Sequence, residues 1–177
     1  RIRVEGCEVS GCAGNGLHPG ARSVHTAIVD CTCRDNDGDG LFVCWMVQHG
    51  RFERNRFIGN GRDGISIGHQ DTDNVFRSNL VSDNGRHGIY ARREKPMNGA
   101  HRNRYEGNVI ENNGRREEGA GIYIEGVTRD WRIEDNDIRN TAGTGQAIGV
   151  YGAPGAACIV LAGNRMAGHR KDAELAE

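Results

Sequence analysis

The chain has 177 residues, a single-domain length, and its 23 basic against 24 acidic residues leave a net charge of −1, which offers no electrostatic footprint for DNA or another nucleic acid. Only 36% of residues are hydrophobic and 6% aromatic, with 27 glycines and 3 prolines, too lean and Gly-rich for an ordinary globule built around a central core. No apolar run approaches the roughly 20 residues of a membrane-spanning helix, so no membrane partner is expected.

The N-terminal "RIRVEGCEVS" has no signal-peptide apolar core, and residue 1 already sits inside a strand pattern, so the sequence reads as a fragment or a processed chain. From there one template recurs. "FERNRFIGNGRDGISI", "FRSNLVSDNGRHGIYA" and "YEGNVIENNGRREEGAGIYI" share an apolar residue, an Asn three later, a second apolar residue, a second Asn, and a Gly that opens alternating apolar positions.

Taking Asn55 as reference, the equivalents are Cys7, Cys31, Asn55, Asn79, Asn108, Asn136 and Asn164, spaced 24, 24, 24, 29, 28 and 28 residues apart. Three residues earlier lie Val4, Ile28, Phe52, Phe76, Tyr105, Ile133 and Leu161; two later lie Val9, Cys33, Phe57, Val81, Ile110, Ile138 and Met166. Five later comes a second, mostly Asn column: Cys12, Asn36, Asn60, Asn84, Asn113 and Thr141. Then Gly16, Gly40, Gly64, Gly88 and Gly121 open strands with the inward pairs Leu17/Pro19, Leu41/Val43, Ile65/Ile67, Ile89/Ala91 and Ile122/Ile124.

Period-2 alternation excludes a helical solenoid. Each coil supplies about four inward side chains and buries nothing alone, but stacked coils share a one-dimensional core, which explains the low apolar fraction. The fold class expected is therefore all-β, a right-handed parallel β-helix of about seven coils, roughly 34 Å long, with Asn ladders at a turn. Residues 1–169 form this domain, and 170–177, "RKDAELAE", are expected to be a polar cap or frayed tail.

Six cysteines lack the spacing of a zinc module. Cys7 and Cys31 share a column on adjacent coils, within disulfide reach; the preferred reading is two small side chains replacing Asn in the ladder.

The template and its "NxIxxNxxxGI" cadence resemble the β-helix repeats of the pectate-lyase-like superfamily, which includes polysaccharide lyases, glycoside hydrolases and mannuronan C5-epimerases. The resemblance runs from Ile2 to about His169. It implies a secreted or periplasmic, monomeric, carbohydrate-active protein whose partner is a polysaccharide or oligosaccharide. The chain departs from the superfamily's best-marked sites: it has no Asp-Pro-His-Asp cluster, no GGxGxD calcium repeat and no pectate-lyase calcium pattern. The block "GLHPG", "GLFVCWMVQHG" and "GISIGHQDTDN" also resembles a subgroup of bacterial β-helix proteins.

Polar, ionisable and aromatic residues converge on the edge that follows the Gly-opened strands: His18, Trp45, His49, His69, Asp71, Asp73, Tyr90, Arg92, Glu94, His101 and Arg102. Extra residues around "EKPMNG" bulge from that edge, and insertions in solenoids often mark the binding face. Trp45 and His18 suit a pyranose ring, and Arg92 or Arg102 a uronate carboxylate, with Glu94 and His101 beside them. Trp45 could equally plug the coil.

Three functions fit. The first is β-elimination or epimerisation of a uronate polysaccharide, with His69 or His49 as base, Tyr90 as acid and Asp71 or Asp73 orienting His69. The second is glycoside hydrolysis by Asp71 or Asp73 paired with Glu94. The third is a glycan-binding or structural β-helix without chemistry. No cofactor is expected; a divalent metal on His69, Asp71 and Asp73 is the rival to their shaping the turn.

Overall fold

The computed structural model describes residues 2–176; Arg1 and Glu177, the outer ends of the two segments expected from the sequence, lie outside the described residues. The chain winds through three parallel sheets, two of seven strands and one of six. The first sheet holds Arg3–Glu5, Ala27–Val29, Arg51–Glu53, Val75–Arg77, Arg104–Glu106, Arg132–Glu134 and Val160–Ala162. These strands contain, in order, the seven apolar positions expected to recur. The second sheet follows after two residues in every coil, and the third starts at Leu41–Val43 and ends at Lys171–Leu175.

The core is a column of stacked side chains. Phe52, Phe76, Tyr105 and Trp131 are fully buried, with ring centroids 4.7, 4.8 and 4.6 Å apart from one rung to the next. Rung spacing in a parallel sheet is itself about 4.8 Å, so register alone stacks Phe52, Phe76 and Tyr105, and Trp131 packs onto Tyr105 from just before the next strand.

The Asn columns are ladders. Asn79 Oδ1 accepts from the backbone N–H and the Nδ2 of Asn55 at 2.9 and 3.1 Å, and Asn79 Nδ2 donates to Phe52 O at 2.9 Å. Asn108, Asn136 and Asn164 continue the pattern. Cys31 still donates its backbone N–H to Asn55 Oδ1, and all six cysteines are free, with Cys31 buried and Cys7 exposed. The second ladder runs Asn36, Asn60, Asn84, Asn113, and then Gln146. Thr141, expected there from the count, instead is exposed and donates its N–H to Asn112 Oδ1. The longer coil carries position 141 out of the column, and the longer Gln146 side chain reaches in from the following strand.

The strand-opening glycines sit where there is no room for a side chain. A Cβ on Gly88 would meet Gly121 O at 2.5 Å and Ile110 Cγ2 at 2.6 Å. The C-terminal stretch read as a cap or frayed tail is a strand: Lys171–Leu175 pairs in parallel with Gln146–Gly152, with Ala173 aligned to Val150. Its single half-buried Ala173 is too little apolar patterning to mark a strand in sequence, and the pairing edge of the previous rung supplies the rest.

Candidate functional site

The third sheet is what positions the site, because its outward residues align rung by rung: Phe42 with Ser66, Ser66 with Tyr90, Tyr90 with Tyr123 and Tyr123 with Tyr151. Tyr123 and Tyr151 stack at 4.6 Å, and Tyr90 stands edge-on to Tyr123 at 5.9 Å. Beneath them His87 is buried against Tyr123 at 4.5 Å and Tyr90 at 5.3 Å. His87 belongs to a third ladder that the sequence reading did not find. Asp39 Oδ1 accepts from Asp63 N, Asp63 Oδ1 from His87 N, and His87 Nδ1 from Ala120 N, each at 3.0 Å. Because His87 Nδ1 accepts, the ring is neutral, and burial pushes its pKa down to about 4. Burial raises Asp39 to about 6.

Tyr90 is tied at both ends. Its hydroxyl donates to Glu125 Oε2 at 2.6 Å, and the Arg86 guanidinium lies 4.5 Å over its ring while making a two-pronged bond to Asp63. Burial first, and the Glu125 carboxylate second, raise the Tyr90 pKa to about 12, so at neutral pH it keeps its proton.

In the turn after the strand, His69 Nδ1 lies 2.8 Å from Glu94 Oε1, with 42% of the His69 side chain exposed against 11% for Glu94. A carboxylate only accepts, so a proton shared in this contact sits on Nδ1, and in the neutral ring Nε2 is the lone-pair nitrogen. Trp45, half exposed and therefore not a plug, stands edge-on to His69 at 6.1 Å. Gly68 makes the arrangement possible: a Cβ there would lie 2.8 Å from Glu94 Oε1 and 2.9 Å from Arg92 Nε.

Several candidate residues take other roles. Asp71 is fully buried and accepts from the backbone N–H groups of Val47 and Gly68 at 2.9 and 3.1 Å, and burial raises its pKa to about 7. It shapes the turn and does not touch His69, whose partner is Glu94. Asp73 is held by Arg102 through two bonds of 2.7 and 2.8 Å, so neither of these orients His69 or stands open to a substrate carboxylate. Arg92 is clamped: it donates to Ser66 Oγ and Val43 O, both at 2.9 Å, and covers the Phe42 ring at 4.3 Å. His18 Nε2 donates to Cys44 O, 2.9 Å away, and the ring packs edge-on to Phe42. His49 stacks on His25 at 5.4 Å in the turn that leads to the first sheet, and half-buried His101 lies in that same turn. Among the described residues no three His, Cys, Asp or Glu side chains are grouped to hold a metal.

Beside these two pairs opens a cleft of about 450 Å³, lined among others by Arg93, Glu94, Tyr123, Glu125, Tyr151 and Pro154. Glu94 and Glu125, the partners of His69 and Tyr90, both face it. Arg93 and Lys95 are exposed and, among the described residues, pair with no carboxylate. Arg93, Lys95, Glu125, Tyr123 and Tyr151 were not singled out as site residues from the sequence. The outward alternation of Tyr90, Tyr123 and Tyr151 was the available signal. The "EKPMNG" bulge does lie here, folding Pro96–Asn98 back so that Gln70 N and Nε2 donate to Asn98 O and Met97 O.

Residues 1–138 match the family model described as "Right handed beta helix region". The chain belongs to this right-handed β-helix family. No curated protein matches it. Among solved structures this β-helix is similar to the A-module of mannuronan C-5 epimerase AlgE4 of Azotobacter vinelandii, at 15% identity and TM-score 0.75, over 98% of this chain and 55% of that one. The AlgE6 A-module of the same organism follows at 20% identity and TM-score 0.67, over 99% and 61%. A mutant of the periplasmic alginate epimerase AlgG gives 18% identity and TM-score 0.72, over 90% and 33%. At these identities the likeness is one of fold, and this β-helix spans about half the length of the AlgE modules it matches.

Proposed function

We propose that this β-helix binds an acidic, uronate-containing polysaccharide along the outer face of the third sheet and acts on it by removing the C5 proton, leading to β-elimination or epimerisation. The observation that carries the reading is that the carboxylate partners of His69 and Tyr90 line one cleft beside Arg93, which pairs with no carboxylate among the described residues. Arg93, with Lys95 beside it, neutralises the uronate carboxylate, which lowers the cost of carbanion formation at C5. Tyr123 and Tyr151, packed rung on rung, give the cleft an aromatic wall for pyranose rings to lie against. His69 Nε2 takes the C5 proton. Tyr90 returns a proton, to the leaving O4 oxygen as C4–O4 breaks and C4=C5 forms, or to the opposite face of C5 with no bond broken but C5–H. The fold neighbours are mannuronan C-5 and alginate epimerases, which supports a uronate polymer as substrate; periplasmic or extracellular action as a monomer belongs to the same proposal. No helix among the described residues is long and apolar enough to cross a membrane.

A second reading rests on the same cleft. Glu94 and Glu125 are two carboxylates facing one cavity, the equipment of a glycoside hydrolase. They replace the Asp71 or Asp73 pairing with Glu94 expected from the sequence. One panel separates the readings: alginate, pectate, heparinoid and chondroitin incubated in heavy water. Unsaturated-uronate absorbance reports elimination, deuterium at C5 epimerisation, and new reducing ends without either hydrolysis. Binding of a substrate with none of the three leaves a glycan-binding module, and no binding at all overturns the proposal.

A further inference from the structure

The outer face of the first sheet carries a second cleft. Arg3, Ala27 and Arg51 are aligned on successive rungs. The small Ala27 therefore leaves a notch between two arginines whose backbone positions are about 10 Å apart, two rung spacings. At its edge the turn presents the stacked rings of His25 and His49, centroids 5.4 Å apart and 25° from parallel. The cleft encloses about 380 Å³ and is lined by these five residues with Ile2 and Thr26.

The polar side chains that wall this outer cleft are guanidiniums and imidazoles. The local carboxylates do not fill the notch: Glu5 holds Arg3 at 2.7 Å and Glu53 approaches Arg51 at 3.5 Å, each from the end of its own strand, and a guanidinium has five N–H groups to give. Asp73 follows His49 in the turn but is engaged by Arg102.

We propose that this notch binds a tetrahedral oxyanion, phosphate or sulfate, free or as an ester on a glycan, held between the Arg3 and Arg51 guanidiniums, with donors from the His25 and His49 rings. The two long, exposed arginine side chains can converge over the small Ala27, and Arg binds such groups through paired N–H bonds. None of these residues belongs to the third-sheet cleft, so the two sites stand or fall separately.

The test is a titration of the chain with sodium phosphate, sodium sulfate, methyl phosphate and methyl sulfate, at mildly acidic pH and at ionic strength held constant with chloride. The imidazole NMR resonances of His25 and His49 and the thermal midpoint are followed together. Phosphate or sulfate should give saturable shifts of both imidazoles and raise the midpoint, whereas chloride gives neither. Ala27→Glu, which places a carboxylate in the notch without touching the core, should weaken binding by roughly tenfold or more, as should His25→Gln with His49→Gln. Retained affinity for the methyl esters assigns the site to groups carried on a glycan, and its loss to the free dianion. Shifts that chloride reproduces, or an Ala27→Glu variant that binds phosphate like the parent, overturn the assignment.

Discussion

Glu94 Oε1 lies 2.8 Å from His69 Nδ1 across one coil, and the same carboxylate lies 3.9 Å from Arg92. Glu94 is thus a positioning residue that fixes which imidazole nitrogen is free. His69→Ala should lower turnover on the substrate found in the panel by roughly 10²- to 10⁴-fold. Glu94→Gln keeps a hydrogen-bond acceptor but removes the charge, so kcat should fall while KM changes little, and the acidic limb of the pH–rate profile should move. Full activity in His69→Ala would end the base assignment.

Gly68 supports that pair by being small. Gly68→Ala should push Glu94 and Arg92 aside, since the added Cβ meets their mobile ends at 2.8 and 2.9 Å and not backbone. Activity should fall with a Tm within a few degrees of the parent. A variant as active as the parent would show that the Glu94 contact is dispensable.

Tyr90→Phe removes the proton held against Glu125 and leaves the ring under Arg86. Protonation of the intermediate should slow by about two orders of magnitude or more. In heavy water, exchange at C5 without net elimination or inversion is the expected signature. Unchanged product formation would assign the acid elsewhere.

The Asn ladders set stability. Asn79→Ala leaves the Asn55 backbone N–H and Phe52 O without side-chain partners and should cost on the order of 1 to 3 kcal/mol in urea unfolding. Gly88→Ala should cost a similar amount or more, because the blocking atom is the Gly121 carbonyl of the next rung. Arg62→Ala, an exposed residue outside every ladder, serves as control; equal losses in all three would make the ladder incidental.

His87 gives a pH dependence of definite sign. Its folded pKa, about 4, lies below the ordinary 6.5, so the unfolded chain binds more protons between these values. The stability it contributes is present above about 6.5 and is lost as pH falls toward 4, by up to about 3 kcal/mol. Asp39 and Asp71, raised to about 6 and about 7, act oppositely, losing stability as pH rises through those values. The comparison is therefore the difference between the parent and His87→Gln, whose amide oxygen can accept from Ala120 N. Their urea midpoints should converge as pH falls from 6.5 to 4, and a constant difference would contradict the neutral ring.

The coil architecture was legible in the sequence because a solenoid repeats the same environment at every rung. Val4, Ile28, Phe52 and their successors, the Asn55 ladder and the strand-opening glycines each answer to one local constraint, and repetition turns a weak signal into a column. The tertiary structure decided which charges are available. Asp71 follows His69 by two residues, yet His69 and Gln70 both adopt left-handed backbone angles, with φ of 46° and 61°. The chain therefore turns back, burying Asp71 on Gly68 N, and Glu94 arrives from the next coil to meet the imidazole. Arg92 and Arg93 are adjacent and chemically identical, but only the structure shows Arg92 clamped by Val43 O, Ser66 and Phe42 while Arg93 faces the cleft. Periodicity says which way a side chain leaves the strand; partners one rung away, distant in sequence and close in space, determine whether it is left free to act.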